Sequence, residues 1–192
     1  IIIYDSVGVF SSPRVWWTFR VFGHDNVAIL NGGLPAWKNA GLPVISGRPE
    51  IKSNSYRPNF NPNLIRNVDQ IISNLKENQE QIVDVRSHGR FYGSEPEPRP
   101  NLRSGHIPNS INIPYGKLID QNTNLLLSTD RLKKIFENLH IDLTSPVIAT
   151  CGSGISASVL ALALYVCGNQ NVAVYDGSWT EWGGREDTSV TF

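Results

Sequence analysis

One cysteine of this chain stands where a nucleophile is expected. In the segment VIATCGSGISA, Cys151 follows a short apolar run and precedes a longer one. A buried strand, a tight loop and a helix are predicted, which puts the sulfur at the carboxyl end of a strand, where open α/β sheets bind ligands. Gly152 and Gly154 let the loop curl, so that backbone N–H groups and the helix dipole stabilise a thiolate. We therefore predict that Cys151 is a catalytic nucleophile.

The sequence disfavours two other uses of the cysteines, a disulfide and phosphoryl transfer. Cys167 lies at the end of the apolar helical run and is predicted to be an inert, buried thiol, about three helical turns from Cys151 and too far for a disulfide. Cysteine phosphatases share the strand, loop and helix, but their loop needs an arginine six positions after the cysteine. That position is Ala157, and no residue from 152 to 157 is charged. A dianionic phosphate would find no cation there.

The elements around this loop alternate between strands and helices, which predicts an α/β fold with a parallel sheet. Strands are expected at 1–4, 26–30, 81–85, 110–113, 146–150 and 171–175, and helices at 13–22, 35–40, 68–75, 129–139 and 155–166. A long loop is expected over 86–105.

Composition narrows the function class. The 192 residues carry 17 basic and 17 acidic side chains, a balance that excludes a broad basic surface for nucleic acid or acidic lipid. No apolar run approaches the roughly 18 residues of a membrane span. Two cysteines are too few for a disulfide scaffold, so we expect a reducing compartment, the cytoplasm.

The chain also repeats itself. Residues 1–37 align without a gap on residues 146–182, an offset of 145 positions with nine identical pairs. Ser6 then lies opposite Cys151, so the first copy lacks the thiol. The sequence has no Met and begins on what reads as a buried strand, so the first copy is expected to be truncated. We predict the C-terminal half of an inactive domain at 1–45, a linker at 46–63 and a catalytic domain at 64–192.

Six segments together resemble the tandem rhodanese-type sulfurtransferases, most closely the 3-mercaptopyruvate sulfurtransferases. They are SPRVWWTFRVFGH at 12–24, NGGLPAW at 31–37, DVRSHGRFYGSEPEPR at 84–99, SGHIPNSINIP at 104–114, CGSGISA at 151–157 and YDGSWTEW at 175–182. CGSG is the mercaptopyruvate form of the loop, whereas thiosulfate enzymes carry cations there, as in CRKG. Ile155 and Ser156 replace the usual Val-Thr, a conservative change.

The resemblance implies a rhodanese-like sheet flanked by helices and a persulfide on Cys151. Sulfur would pass from 3-mercaptopyruvate to a thiol such as reduced thioredoxin, or to cyanide, with release of pyruvate. It also implies roles for further residues: Ser153 in catalysis, and Arg90, Arg99, Gly152, Gly154, Ile155 and Ser156 in substrate binding. No metal, cofactor, nucleic acid or membrane is implied, and the full-length protein would be a monomer, although the uncovered edges of a truncated copy would favour pairing with another chain.

Two alternatives stay open: a thiosulfate sulfurtransferase, and a non-catalytic sulfur carrier or interaction module.

Residues near the motifs are expected to be structural or to lie at the edge of the site. Arg86 is expected to pair with Asp84, and His106 to pack within a turn. Trp179 is a weak candidate for the pocket wall. Phe10 and Ser11, in the loop of the first copy, are expected to face the active cleft.

Overall fold

The computed structural model describes residues 1–48, 50 and 53–192. Its strands are β1 Ile2–Ile3, β2 Ala28–Ile29, β3 Ile65–Arg66, β4 Gln81–Asp84, β5 Ile111–Asn112, β6 Val147–Thr150 and β7 Val172–Tyr175. Its α-helices are α1 Ser12–Val21, α2 Gly33–Asn39, α3 Val68–Glu77, α4 His88–Phe91, α5 Thr129–Asn138, α6 Ala157–Val166 and α7 Ser178–Trp182. Short 3-10 turns occupy Pro62–Leu64 and Tyr115–Leu118.

The main sheet contains five parallel strands in the order β3-β7-β6-β4-β5, and β1 pairs with β2 in a separate two-stranded parallel sheet. Helices cover both faces of the main sheet, as the alternation of elements predicts. The central position of β6 follows from its sequence, since all four of its residues are buried and a strand covered on both faces reads as a continuous apolar run.

Alternate side chains of β6 enter two different cores. Val147 and Ala149 pack with residues of α1, α5 and α6, whereas Ile148 packs with residues of α3 and α7. Since alternate residues of a strand share a face, Cys151 continues the row of Val147 and Ala149 and belongs to the core on the α6 side. The strand period therefore directs the sulfur toward the start of α6.

Helix α6 is buried from Ala157 to Leu164, and α1 packs on its outer side. Trp16 of α1 meets Tyr165 of α6 edge to face, with ring centroids 5.2 Å apart. The Arg20 guanidinium lies 4.3 Å from the Tyr165 ring centre. The segment before β3 is also fixed to α1, since the amides of Asn59 and Asn61 donate to the last carbonyls of that helix region at 2.8 and 2.7 Å. The predicted linker at 46–63 is thus anchored at its C-terminal end.

Most expected elements form within two or three residues of their predicted bounds, but three were missed. The loop expected over 86–105 contains α4, where the Ser87 hydroxyl accepts the Arg90 amide. Four residues are too few to show a helical period, and the same brevity hid α7 and β3. α6 starts at Ala157 rather than at residue 155, because the turn before it is closed by i+3 bonds, from the Ser158 and Val159 amides to the Ile155 and Ser156 carbonyls at 3.2 and 3.0 Å.

The helices of the two halves keep the offset of the sequence repeat. α1 begins at Ser12 and α6 at Ala157, and α2 begins at Gly33 and α7 at Ser178, which is 145 positions in both cases. The tandem repeat and the boundaries 1–45, 46–63 and 64–192 remain our interpretation of this arrangement. Within the part of the chain that the structure describes, every helix is too short or too polar to cross a bilayer.

Candidate active site

Cys151 follows β6 directly and is buried, with 2% of its surface exposed. Its Sγ accepts a hydrogen bond from the Gly154 amide at 3.1 Å. The start of α7 holds its backbone: the Cys151 carbonyl accepts the Trp179 amide at 2.9 Å, and its amide donates to the Ser178 hydroxyl at 3.3 Å. The nucleophile is thus fixed by β6, its own loop and α7 together.

The two loop glycines leave room for close neighbours. A Cβ on Gly154 would lie 2.7 Å from Nη1 of Arg14 and 3.0 Å from the Asp176 carbonyl, at a φ that side chains rarely adopt. A Cβ on Gly152 would lie 2.9 Å from Nη2 of Arg90. Two guanidinium groups therefore pack directly against an uncharged loop.

The sulfur receives fewer amides than the sequence predicted. Several N–H groups were expected around Sγ, but the structure gives one hydrogen bond, from Gly154, because a single sulfur atom this deep in the loop is within reach of one donor. Five other loop amides donate to no acceptor among the described residues: those of Gly152, Ser153, Ile155, Ser156 and Ala157. These donors remain free for a ligand atom beyond the sulfur.

A buried ion-pair network sets the position of Arg90. Glu97, whose side chain is 2% exposed, accepts Nε and Nη2 of Arg90 at 3.2 and 2.6 Å and Nη1 of Arg86 at 2.8 Å. Arg86 also binds Asp84 through Nε at 2.9 Å and Nη2 at 2.7 Å, as the sequence predicts. The Arg86 guanidinium stacks 4.1 Å from the Trp179 ring centre. Arg90 is therefore held through one edge, while its Nη1 has no partner within the described ranges.

The other predicted site residues are distributed less closely. Ser153 and Ser156 are half-buried in the loop, and Ile155 is exposed. Arg99 is exposed and makes no hydrogen bond or ion pair with the residues that the structure describes, so its role in substrate binding stays a prediction. Trp179 is buried and lies beneath the loop instead of forming a pocket wall, with Nε1 donating to the Arg103 carbonyl at 2.9 Å.

The loop after β1 is filled by its own side chain. Asp5 accepts the amides of Val7, Phe10, Ser11 and Ser12 at 2.9–3.1 Å and the Ser12 hydroxyl at 2.9 Å. Burial acts to raise the pKa of Asp5, but the hydrogen bonds from the Phe10, Ser12 and Val7 amides outweigh it and lower the pKa below its ordinary value. The backbone amides of Phe10 and Ser11 thus donate to Asp5. That these residues face the active cleft stays a prediction.

His106 and Cys167 have structural surroundings. The His106 ring stacks on Phe91 at 3.8 Å, and its Nδ1 lies 2.9 Å from the Phe91 carbonyl. Cys167 and Cys151 are both free thiols. Burial raises the pKa of Cys167, which disfavours its reactive thiolate. Both residues match the structural roles expected of them.

Four contacts of the site could not be read from the sequence motifs: those of Arg14, Asp176, Glu97 and Ser178. Asp176 and Ser178 carry a weak signal, since they are the first and third residues after a buried strand, near the place that Cys151 takes after its own strand. Glu97 and Arg14 carry no local signal, because their partners lie in other elements.

The chain belongs to the rhodanese-like domain family, whose model matches residues 67–185. It is similar to the 3-mercaptopyruvate sulfurtransferase of Mus musculus, with 42% identity over 184 residues, covering 95% of this chain and 62% of the relative. It is equally similar to the thiosulfate sulfurtransferase of Rattus norvegicus, with 42% identity over 185 residues and the same coverage. The crystal structure of SseA from Escherichia coli, described as a 3-mercaptopyruvate sulfotransferase, matches with a TM-score of 0.80 and 38% identity over 93% of this chain and 66% of that one. The chain thus spans 62% of the length of these two curated relatives.

Proposed function

We propose that this protein is a sulfurtransferase that takes sulfur from 3-mercaptopyruvate onto Cys151 as a persulfide and passes it to a thiol or to cyanide, releasing pyruvate. The observation that carries the proposal is the Cys151 sulfur itself, which accepts the Gly154 amide in an uncharged loop lined by further free amides. The names of the relatives support sulfurtransferase activity in general.

The preference for mercaptopyruvate is argued from charge. Relatives named for either donor are 42% identical to this chain, so overall similarity does not separate the two donors. The loop 152–157 has no charged residue, and the Arg90 guanidinium lies beside Gly152. Mercaptopyruvate carries one carboxylate at the end away from its sulfur, which suits a cation beside the loop. Thiosulfate is a compact dianion and favours a cation within the loop.

The proposed transfer breaks one carbon–sulfur bond and forms one sulfur–sulfur bond. The Cys151 thiolate attacks the donor sulfur, and the electron pair of the carbon–sulfur bond leaves on carbon as the enolate of pyruvate. A proton on that carbon gives pyruvate, and Cys151 is left as the persulfide. An acceptor thiolate or cyanide then attacks the outer sulfur, and the electron pair of the sulfur–sulfur bond returns to Cys151 as thiolate.

Residues of the loop and its neighbours have separate roles in the proposed reaction. The Nη1 group of Arg90, which Glu97 leaves free, binds the substrate carboxylate, with Arg99 as its partner. Ser153 polarises the substrate or relays the proton. The Gly154 amide stays on Sγ of Cys151, and the free amides of Gly152, Ile155 and Ser156 bind the transferred sulfur, since amides preorganised around a developing negative charge lower the barrier most.

Steady-state assays with both donors test this assignment. Cys151→Ser is expected to abolish cyanide-dependent turnover, by at least about 10³-fold, since the attacking thiolate is lost. Cys167→Ser is the matched control and should retain turnover, because that thiol lies at the far end of α6. Persistent turnover in Cys151→Ser would contradict the site assignment.

Two alternatives are outcomes of the same assays. Faster turnover with thiosulfate than with mercaptopyruvate would support a thiosulfate sulfurtransferase. No turnover with either donor, in a chain that unfolds cooperatively, would favour a sulfur carrier or interaction module. For the cellular setting we propose a thiol acceptor such as reduced thioredoxin and a cytoplasmic location, which fractionation of the source cells would test.

A further inference from the structure

A side chain from the part of the chain without the nucleophile reaches the cysteine loop. Arg14 lies on α1, yet its Nη1 is 2.5 Å from Oδ1 of Asp176, at the end of β7, and 3.5 Å from the Gly154 carbonyl oxygen. Its guanidinium lies 4.5 Å from the Trp17 ring centre, which restrains it from one side. Arg14 therefore joins α1, the end of β7 and the cysteine loop at one point.

The residue that Arg14 contacts is the one that donates to the sulfur. The Gly154 N–H donates to Sγ of Cys151 at 3.1 Å, and the Gly154 carbonyl accepts from Arg14 and from the Ser158 hydroxyl, the latter at 3.1 Å. Arg14 and Asp176 also occupy the space beside the Gly154 Cα, where a Cβ would collide with them. Gly154 is thus confined on its carbonyl side and its Cα side while its amide is used by the sulfur.

The same contact orients a second amide. The carbonyl of Gly154 and the N–H of Ile155 belong to one planar peptide and point in opposite directions. A guanidinium on that carbonyl therefore fixes the direction of the Ile155 N–H, which is one of the loop donors without a partner in the described ranges. Arg14 thus contacts the Gly154–Ile155 peptide directly, and it also packs beside the Gly154 Cα, which is joined to the peptide whose N–H binds the sulfur.

We propose that Arg14, together with Asp176, is a positioning residue for sulfur transfer, holding Gly154 so that its amide stays on the Cys151 sulfur. The proposal rests on the proposed function, because it assigns Arg14 to that same site. It gives the first 45 residues a direct role in the chemistry of a loop more than 100 residues further along the chain. Arg14 does not touch substrate in this proposal; it acts through Gly154.

The competing explanation is that Arg14 only braces α1 against the sheet. The chain offers a matched control for that explanation in Arg20, which lies on the same helix, 4.8 Å from the Trp16 ring and 4.3 Å from the Tyr165 ring of α6. Arg20 ties α1 to α6 with cation–π contacts but has no contact with residues 151–156 in the described structure. Loss of a brace should affect both variants, whereas loss of positioning should affect Arg14 alone.

The test measures Cys151 without any sulfur donor. In the full chain with Cys167→Ser, the rate of alkylation by iodoacetamide is followed from pH 5 to pH 10 for Arg14→Gln, Arg14→Lys, Asp176→Asn and Arg20→Gln. A less well-held Gly154 amide stabilises the thiolate less, so the midpoint of the Arg14→Gln profile should move to higher pH. Persulfide formation from mercaptopyruvate should fall about three- to tenfold, the usual scale for one lost hydrogen bond. Arg14→Lys should restore part of both, and Arg20→Gln should match the parent profile.

Each outcome separates the proposals. An Arg14→Gln profile that coincides with that of Arg20→Gln would overturn the positioning role. If Arg14→Gln does not unfold cooperatively, Arg14→Lys and Asp176→Asn decide, and a parental profile for Asp176→Asn overturns the proposal. If no variant, nor the parent, forms a persulfide, the proposed function fails, and the alkylation profiles still decide whether Arg14 positions the loop.

Discussion

The loop after β1 and the loop after β6 lead into helices that begin 145 positions apart, yet they use their backbone donors in opposite ways. Asp5 fills the first loop and accepts four amides and a hydroxyl. At the offset of 145, those four amides correspond to the amides of Gly152, Ile155, Ser156 and Ala157, which have no partner in the described structure. The amides at corresponding positions are thus bound by a side chain of their own loop before α1 and are free before α6.

The charges around the two loops differ in the same sense. The first loop contains the Asp5 carboxylate, which accepts four of its amides, so those amides are not free to bind a ligand. The second loop carries no charge, and the guanidinium groups of Arg14 and Arg90 approach it from α1 and from α4. The unpartnered amides of the second loop belong mostly to half-buried or exposed residues, so a ligand can reach them. This difference supports a structural role for the first loop and the proposed catalytic role for the second.

After the loss of the nucleophile itself, the largest effect is expected from blocking the second loop at Gly154. Gly154→Ala puts a methyl group 2.7 Å from Arg14 at a φ of +78°, so both the peptide and the guanidinium must move. We expect sulfur transfer to fall about 100-fold, on the scale of a lost oxyanion donor.

Gly168→Ala is the control for backbone strain alone, because Gly168 has a φ of +102° but open space where the Cβ would lie. It should lower the midpoint of thermal unfolding and leave transfer within about twofold of the parent. Equal losses of transfer in both variants would show that strain, and not the loop contacts, is responsible.

A smaller effect is expected from the cation beside the second loop. Arg90→Ala should reduce kcat/KM for mercaptopyruvate about 10- to 100-fold, as expected when a charge-assisted hydrogen bond of about 1.5–3 kcal/mol is lost. Arg99→Ala is measured beside it, because Arg99 is exposed and has no hydrogen bond or ion pair with the described residues. An unchanged kcat/KM in Arg90→Ala would remove Arg90 from the site, and a larger loss in Arg99→Ala would require that the 92–103 segment moves when substrate binds.

The smallest effect on transfer is expected from opening the first loop. Asp5→Asn keeps the shape of the side chain but removes the charge. The free energy of unfolding at pH 7 should therefore fall by about 1–2 kcal/mol. Because the pKa of Asp5 is lowered in the folded chain, its contribution is present above its ordinary value near 3.8 and is lost as the pH falls through the folded value. The stability difference between parent and variant should therefore narrow below pH 4.

Urea unfolding at pH 7 and pH 3 measures this difference. Asp25→Asn is the matched control, since the Asp25 side chain is 80% exposed. It should change stability by less than about 0.5 kcal/mol at both values. A stability difference for Asp5→Asn that does not depend on pH would contradict the carboxylate's role as the anion of its loop.

The sequence predicts the frame of this site better than its contacts. Apolar runs and glycine stops locate α6, and the type and position of Cys151 and Gly154 identify the loop. α4 and α7 escape because they span four and five residues, too few for a helical period, although α7 supplies the Trp179 amide that holds the Cys151 carbonyl. The Arg14–Gly154 and Arg90–Glu97 contacts depend on how separate elements pack, and the spacing of residues along the chain does not encode that packing.

Sulfur transfer onto Cys151 is tested by the intact mass of the chain, with peptide mapping, after incubation with 3-mercaptopyruvate and before any acceptor is added. We expect one added sulfur, about 32 Da, located on Cys151 and removed by cyanide. An unmodified Cys151 thiol in a folded chain, or an added sulfur on Cys167 alone, would contradict it.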